Sequence, residues 1–190
     1  MLIPMTTPFL DKPTLVGELM TLRPIRPEDA DVIDRIIRDD GEIARLTGSV
    51  HSSDAAPPDL PIERIREIYG QWATADDRLV LGVVENASGE LVGEVVLNDW
   101  DEGNWSCGFR TLVGSAGRGR GLGTEATRLI VEHGLTTMGM HRISLEVYDF
   151  NPRARHVYEK VGFVHEGTGR EALLFDGAWV DVHYMAVIGS

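Results

Sequence analysis

A single cysteine, Cys107, stands among 190 residues. That excludes any disulfide within the sequence and any metal site built from cysteines, and it fits a reducing compartment. No stretch of about 18 apolar residues is present to cross a bilayer. Met1 to Lys12 has neither the basic start nor the long apolar core of a signal peptide, so a cytoplasmic protein with no membrane partner is expected. The histidines at 51, 133, 141, 156, 165 and 183 are scattered, with no ligand spacing such as H-E-x-x-H, so no metal is expected. Basic residues are short as well, 18 against 30 acidic, for a net charge of −12. So acidic a chain argues against a nucleic-acid partner and could favour approach of a cationic substrate.

What is present is ordinary for one globular domain: 43% hydrophobic residues, 25% charged, and a length sufficient for one well-buried core. Residues 1–14, with Pro4, Pro8 and Pro13, are expected to form an irregular tail before a single domain over 15–190. Apolar alternation predicts strands over Leu19–Ile25, Leu79–Glu85, Leu91–Leu97, Trp105–Val113, Ile143–Tyr148, Val164–Phe175 and Trp179–Ile188. Asn86-Ala87-Ser88-Gly89 and Asp176-Gly177 are hairpin signals. Helices are predicted from Pro27-Glu28-Asp29 toward Gly41, from Pro61 through Trp72, over Thr124–Met138, and from Asn151-Pro152 to Gly162. Between the first two, Thr47–Pro61 reads as a long loop and a candidate mobile segment. The order is βααβββαβαββ, an α/β fold with a mixed, mostly antiparallel central sheet flanked by helices.

Arg118-Gly119-Arg120-Gly121-Leu122-Gly123-Thr124 joins a predicted strand to a predicted helix. Glycines let the backbone turn tightly and bring N–H groups onto one oxyanion, and the helix start adds its unpaired N–H groups and positive dipole end. The loop also lies in the one basic segment, residues 110–160, which holds eight basic against five acidic residues. It is not a Walker loop, because Arg120-Gly121 stands where Lys-Ser/Thr is required. Gly121-x-Gly123-x-x-Ala126 does satisfy a dinucleotide fingerprint. Yet Gly114–Gly117 separates it from its strand, and the terminal hairpin breaks the βαβ repeat such a site needs.

Arg118-x-x-Gly121-x-Gly123 resembles the Q/R-x-x-G-x-G/A pyrophosphate loop of the GNAT superfamily of N-acetyltransferases. A second segment, Asn151-x-x-Ala154-x-x-x-Tyr158-Glu159-Lys160-x-Gly162-Phe163, is similar to that superfamily's later motif. Leu22-Arg23-Pro24, Glu28-Asp29-Ala30 and Thr124-Glu125-Ala126 resemble the RimJ/RimL type, which acetylates ribosomal-protein N-termini, and the spermidine acetyltransferases. The resemblance spans about residues 16–188 and implies an acyl-CoA N-acyltransferase fold. It also implies transfer of an acetyl group from acetyl-CoA to a primary amine, on a small molecule or a protein N-terminus, by direct attack.

By that resemblance Arg118, Gly119, Arg120, Gly121, Leu122, Gly123 and Thr124 hold the pyrophosphate. Leu112 and Val113 offer backbone groups to the pantetheine arm, which needs the strands Trp105–Val113 and Ile143–Tyr148 to splay, as a bulge near Thr111–Val113 would allow. Tyr158 is the expected acid, and Asn151 both caps its helix and touches the cofactor arm. Glu146 is the first candidate base and Glu94 the second, since a carboxylate on an apolar strand is costly without a purpose. Cys107 reads as a small buried hydrophobe. The acids Asp39, Asp40, Glu42, Asp54 and Asp59 mark the acceptor-facing region, which suits a cationic amine and equally a solvated surface. A CoA-binding sensor without turnover is the alternative, and pairing of the C-terminal strands would allow a homodimer.

Overall fold

Valine-, leucine- and isoleucine-rich runs pair into one sheet of eight strands, because β-branched side chains suit a half-buried pleated surface. The computed structural model describes residues 7–56 and 59–189. The strands are β1 (Leu15–Val16), β2 (Met20–Pro24), β3 (Leu79–Glu85), β4 (Leu91–Asp101), β5 (Ser106–Val113), β6 (Arg142–Tyr148), β7 (Val164–Phe175) and β8 (Ala178–Ile188). They lie in the order β1-β2-β3-β4-β5-β6-β8-β7, and only β5 and β6 run parallel. A parallel pair needs a crossover, here α4 (Leu122–Thr136). Helices α1 (Asp29–Asp39), α2 (Gly41–Leu46) and α3 (Ile62–Thr74) fall between β2 and β3, and α5 (Pro152–Val161) lies between β6 and β7.

The mixed, mostly antiparallel arrangement agrees with the expected one, with two additions. The two-residue β1 pairs with β2, and α2 was not anticipated. Asp40 leaves helical geometry at φ −105°, ψ 87°, and its Oδ1 accepts from the N–H of Glu42 at 3.2 Å, an N-cap that starts a new helix where the first was expected to end.

Helices cover both faces. Leu122, Ala126 and Ile130 of α4 and Tyr158 of α5 pack on Val95, Phe109, Ile143 and Val147. On the other face Ala30 and Ile33 of α1 and Tyr69 of α3 pack on Ile25 and Val80. Each large side chain so buried contributes about 1.5–3 kcal/mol. Residues 7–14 contain no helix or strand, but Phe9 is fully buried edge-on to Trp100 and Lys12 Nζ donates to the carbonyls of Ala75 and Arg78. The first six residues of the expected tail lie outside the described residues, as do positions 57 and 58 of the long loop. That loop is tied down at its start, where Val50 is buried with Leu173 and Phe175 and Ser53 N donates to Asp176 Oδ1 at 2.8 Å.

The parallel pair is short. β5 and β6 are in register only at Ser106–Arg142, Cys107–Ile143 and Gly108–Ser144, and beyond Gly108 they part. No bulge at Thr111–Val113 causes this, since β5 keeps an unbroken register with β4 from Gly108–Asn98 to Val113–Gly93. The shift lies instead between Asn98 and Asp101, where Asp99 takes φ 53°. β6 stays with β8 along its whole length, from Arg142–Ile188 to Tyr148–Val182. Each strand follows its antiparallel partner, and sheet twist opens the gap between them.

Candidate active site

The loop before α4 is a row of unspent backbone donors. Gly119 and Gly121 adopt φ +72° and +87°, left-handed values that favour glycine, and Gly121 is the N-cap of α4. Glu125 N is the first amide of the helix to find a carbonyl, that of Gly121. Among the described residues, no acceptor reaches the N–H groups of residues 119–124. An oxyanion laid against them would meet those donors and the positive end of a four-turn helix together.

A second row of backbone groups is set by strand alternation. Gly114 N donates to Val92 O, which marks that antiparallel position as hydrogen-bonded; alternation then turns Leu112 and Arg110 toward β4 and points Thr111 and Val113 outward. The outward groups of Thr111 and the outward N–H of Val113 have no strand opposite them once β6 has parted. Val113 O accepts from Arg118 Nε at 3.0 Å. Leu112, expected to present its backbone with Val113, has its N–H and C=O turned to Glu94, and it meets the gap with its side chain.

The gap widens into a cavity of about 690 Å³ that runs through the sheet from one face to the other. Gly119, Gly121, Gly123, Thr124, Asn151 and Tyr158 line it on the α4–α5 face, and Glu94, Arg110 and Glu146 line it on the α1–α3 face. Arg118 also borders it, but its side chain points to α1 and α2, with Nη2 2.8 Å from Asp40 Oδ2 and Nη1 3.2 Å from Glu42 Oε2. The Asp40 contact is an ion pair without hydrogen-bond alignment. Two residues of the loop stand apart. Leu122 is buried in the core, and Arg120 turns back to Glu85 and to Ala116 O, so these two present only their N–H groups.

Asn151 Oδ1 accepts from Ala154 N at 3.2 Å as the N-cap of α5, with Pro152 in the first turn and Gly162 closing the helix at φ +109°. This short helix sets Tyr158 edge-on to Phe109. Burial pushes the Tyr158 phenol up to about 12, and its hydroxyl has no hydrogen-bond partner among the described residues. Cys107 is a buried thiol, pushed up to about 12 by burial and then by Asp99, and is no nucleophile near neutrality.

The two candidate bases, Glu94 and Glu146, have different surroundings. The Glu94 side chain is half-buried beneath α3, and Tyr69 Oη donates to its Oε2 at 2.9 Å. Burial raises the Glu94 carboxyl to about 7, with the Tyr69 hydrogen bond and Arg110 holding it from rising further. Glu146 borders the same cavity from β6, exposed. The readable signal for Glu94 was its place in the apolar run Gly93-Glu94-Val95. Its partner Tyr69 lies 25 residues away on another element and carried none.

The expected acidic acceptor face is partly neutralised. Asp40 and Glu42 face Arg118, and Asp59 faces Arg38 at 3.1 Å. Among the described residues, no three His, Cys, Asp or Glu side chains cluster as a metal site, and no helix is long and apolar enough to cross a membrane.

A donor-lined helix start beside a strand edge open to an extended, amide-bearing arm fits acyl-CoA, and defines the class as acyl-CoA transferases. The chain belongs to the GNAT acetyltransferases: residues 20–164 match the family described as "Acetyltransferase (GNAT) domain". It is 32% identical over 130 residues to the spermidine N(1)-acetyltransferase of Vibrio cholerae, covering 67% of this chain and 73% of that one. It is likewise 32% identical over 118 residues to the L-amino acid N-acetyltransferase AaaT of Escherichia coli, covering 61% and 73%. The crystal structure of the Vibrio cholerae spermidine N-acetyltransferase with CoA and spermine superposes with a TM-score of 0.78 at 23% identity, over 90% of this chain and 96% of that one, and so shares its fold. The protein is an N-acetyltransferase with acetyl-CoA as co-substrate.

Proposed function

We propose that the protein acetylates a primary amine by direct attack in a ternary complex, with Glu94 as general base and Tyr158 as the donor to the departing sulfur. The observation that carries this reading is one continuous cavity through the sheet, with Glu94 on one face and Tyr158 on the other. The acceptor enters from the α1–α3 side and the thioester lies in the gap beyond β5.

An aliphatic amine with a pKa of about 10.4 is more than three units from neutral at pH 7, a deficit of about 4–5 kcal/mol. Glu94, poised at about 7, is ionised often enough to accept that proton and shielded enough to hold it. The outward N–H of Val113 is the donor for the oxyanion that develops on the attacked carbonyl. The N–H groups of residues 119–124 hold the pyrophosphate, the outward edge at Thr111 and Val113 pairs with the pantetheine amides, and Asn151 touches the same arm. Arg118 keeps the loop joined to α2. Tyr158 stays neutral throughout the working range. A thiol near 8.5 is more acidic than this phenol, so Tyr158 stabilises the departing thiolate by a hydrogen bond rather than by full proton loss. Glu146 is then the second carboxylate of the cleft, an attraction for the incoming ammonium rather than the base.

The RimJ/RimL type is the subgroup we assign. Supporting it, Arg23 and Asp29 of the resembling segments form a two-point ion pair at 2.6 and 2.7 Å, and Glu125 accepts from the N–H groups of Glu18 and Leu19 at 2.9 and 2.8 Å. These contacts hold β2 to α1 and the β1–β2 turn to the start of α4. The acceptor, a protein N-terminus, a polyamine or another small amine, is recognised first by its amine, the group common to the spermidine and L-amino acid enzymes named above. A cytoplasmic homodimer is the form we assign. It is supported by the lone reduced thiol and by the exposed Val164, Leu174, Trp179, Tyr184 and Ile188 of β7 and β8. The test of function is thiol release from acetyl-CoA with an amine panel; CoA binding without release for any amine would make the protein a sensor instead.

A further inference from the structure

The acceptor end of the cavity carries guanidinium groups that no carboxylate among the described residues pairs within 4.0 Å. Of the arginines lining it, Arg118 is taken by Asp40 and Glu42, and Arg78 pairs with Asp77 at 2.9 Å while lying over the Trp72 ring. Arg153 stands in the first turn of α5, at the cofactor end. Arg45 of α2 and Arg110 of β5 remain, and among the described residues neither has a carboxylate within 4.0 Å. In a chain with 30 acidic and 18 basic residues, two unpaired guanidinium groups at the acceptor end of one cavity are not a matter of shortage.

Their surroundings suit a planar anion. Arg45 stacks over the Phe150 ring with its carbon centre 5.3 Å from the centroid, which leaves the N–H edge of the guanidinium free. Arg110 is exposed on β5 opposite Val96, one pleat from Glu94 on the same sheet face. A fork of N–H groups therefore stands beside the carboxylate that takes the amine proton. A polyamine entering here would bring further ammonium groups against both arginines, an unfavourable pairing of like charges.

Resting on the acetyl-transfer reading above, we infer that the acceptor carries a carboxylate close to its amine, as an α-amino acid does, with Arg110 and Arg45 receiving the carboxylate while Glu94 receives the amine proton. The charge pattern of the ligand is the reverse of a polyamine's: one cation toward Glu94 and Glu146, one anion toward the arginines. Trp72, Tyr148 and Phe150 leave room beside it for an apolar or aromatic side chain.

The experiment is steady-state thiol release with a panel of α-amino acids, each beside its carboxamide and the amine lacking the carboxylate, together with spermidine. The wild type should prefer the amino acid. Arg110→Gln should lower the ratio of kcat/KM for amino acid over carboxamide by about 10- to 100-fold, mainly through KM, with Arg45→Gln lowering the same ratio and Arg110→Lys restoring part of it. A preference for spermidine, or an equal loss on acid and amide in Arg110→Gln, would overturn the inference, the latter assigning Arg110 to the electrostatics of Glu94. Release that ignores the carboxylate leaves acetyl transfer standing; no release with any amine contradicts acetyl transfer itself.

Discussion

Tyr69 of α3 donates its hydroxyl hydrogen to Glu94 Oε2 at 2.9 Å, and this bond joins the helical layer to a half-buried carboxylate of the cleft. The bond favours the ionised form of a group that burial pushes the other way. Glu94 is thereby kept near 7, where a base is useful, instead of higher, where it would stay protonated.

The pH dependence of activity should show it. As pH falls through about 7, Glu94 takes up a proton and kcat/KM should lose about tenfold per unit from this group, beyond the slope set by the amine itself. Glu94→Gln should remove that limb and lower kcat by about 100-fold. Tyr69→Phe should keep the limb but move it upward by about one pH unit, because a hydrogen bond to a charged group is lost. A pH–rate profile of the three proteins checks both.

The same group sets a stability trend. Its folded-state pKa is raised, so between about 4.3 and 7 the folded protein holds a proton that the unfolded chain releases, and stability falls as pH rises through that window. Glu94→Gln should therefore gain on the wild type from pH 4.5 to pH 8, by about 3 kcal/mol at most. Urea unfolding at the two pH values measures the gain.

Tyr158→Phe removes one oxygen from a side chain that is otherwise held by Phe109 and Phe163. The protein should fold as before. Turnover should fall by about 10- to 100-fold, with less effect on the KM for acetyl-CoA. Unchanged turnover would remove Tyr158 from the chemistry.

Gly121→Ala places a Cβ on a residue at φ +87° and 3.2 Å from Leu19 Cδ1. The left-handed cost alone is about 1–2 kcal/mol, so the KM for acetyl-CoA should rise by about tenfold as the donor row shifts. Gly119→Ala, at φ +72° with open space around the Cβ, carries the strain without the crowding and should raise it less.

Arg118→Gln would leave Asp40, 8% exposed in its side chain, without its cation. Breaking such a pair costs about 3 kcal/mol or more when fully buried, and somewhat less here because Glu42 is solvated. The midpoint of thermal unfolding should drop.

Local signals made most of the fold legible. Glycine at positive φ, Asn-Pro at a helix start and the Asp-Gly hairpin each act within a few residues, and the loop at 118–124 and the motif at 151–163 are made of them. What escaped depends on partners far along the chain. The loop motif carries no trace of Asp40 and Glu42, over 70 residues earlier, to which the Arg118 side chain points. Sequence spacing carries no burial, and in the fold Glu94 is half-buried beneath α3 while Glu146 is exposed. The bulge expected near Val113 was a local answer to a question the sheet settles globally, through the separate allegiances of β5 to β4 and β6 to β8.

The most direct test is to mix the protein with acetyl-CoA and a primary amine at pH 8 and follow free thiol and acetylated amine together. Equal amounts of both, with release slowed about 100-fold in Glu94→Gln, are the result this account predicts. Full-rate release in Glu94→Gln, or thiol release without acetylated amine, would contradict it.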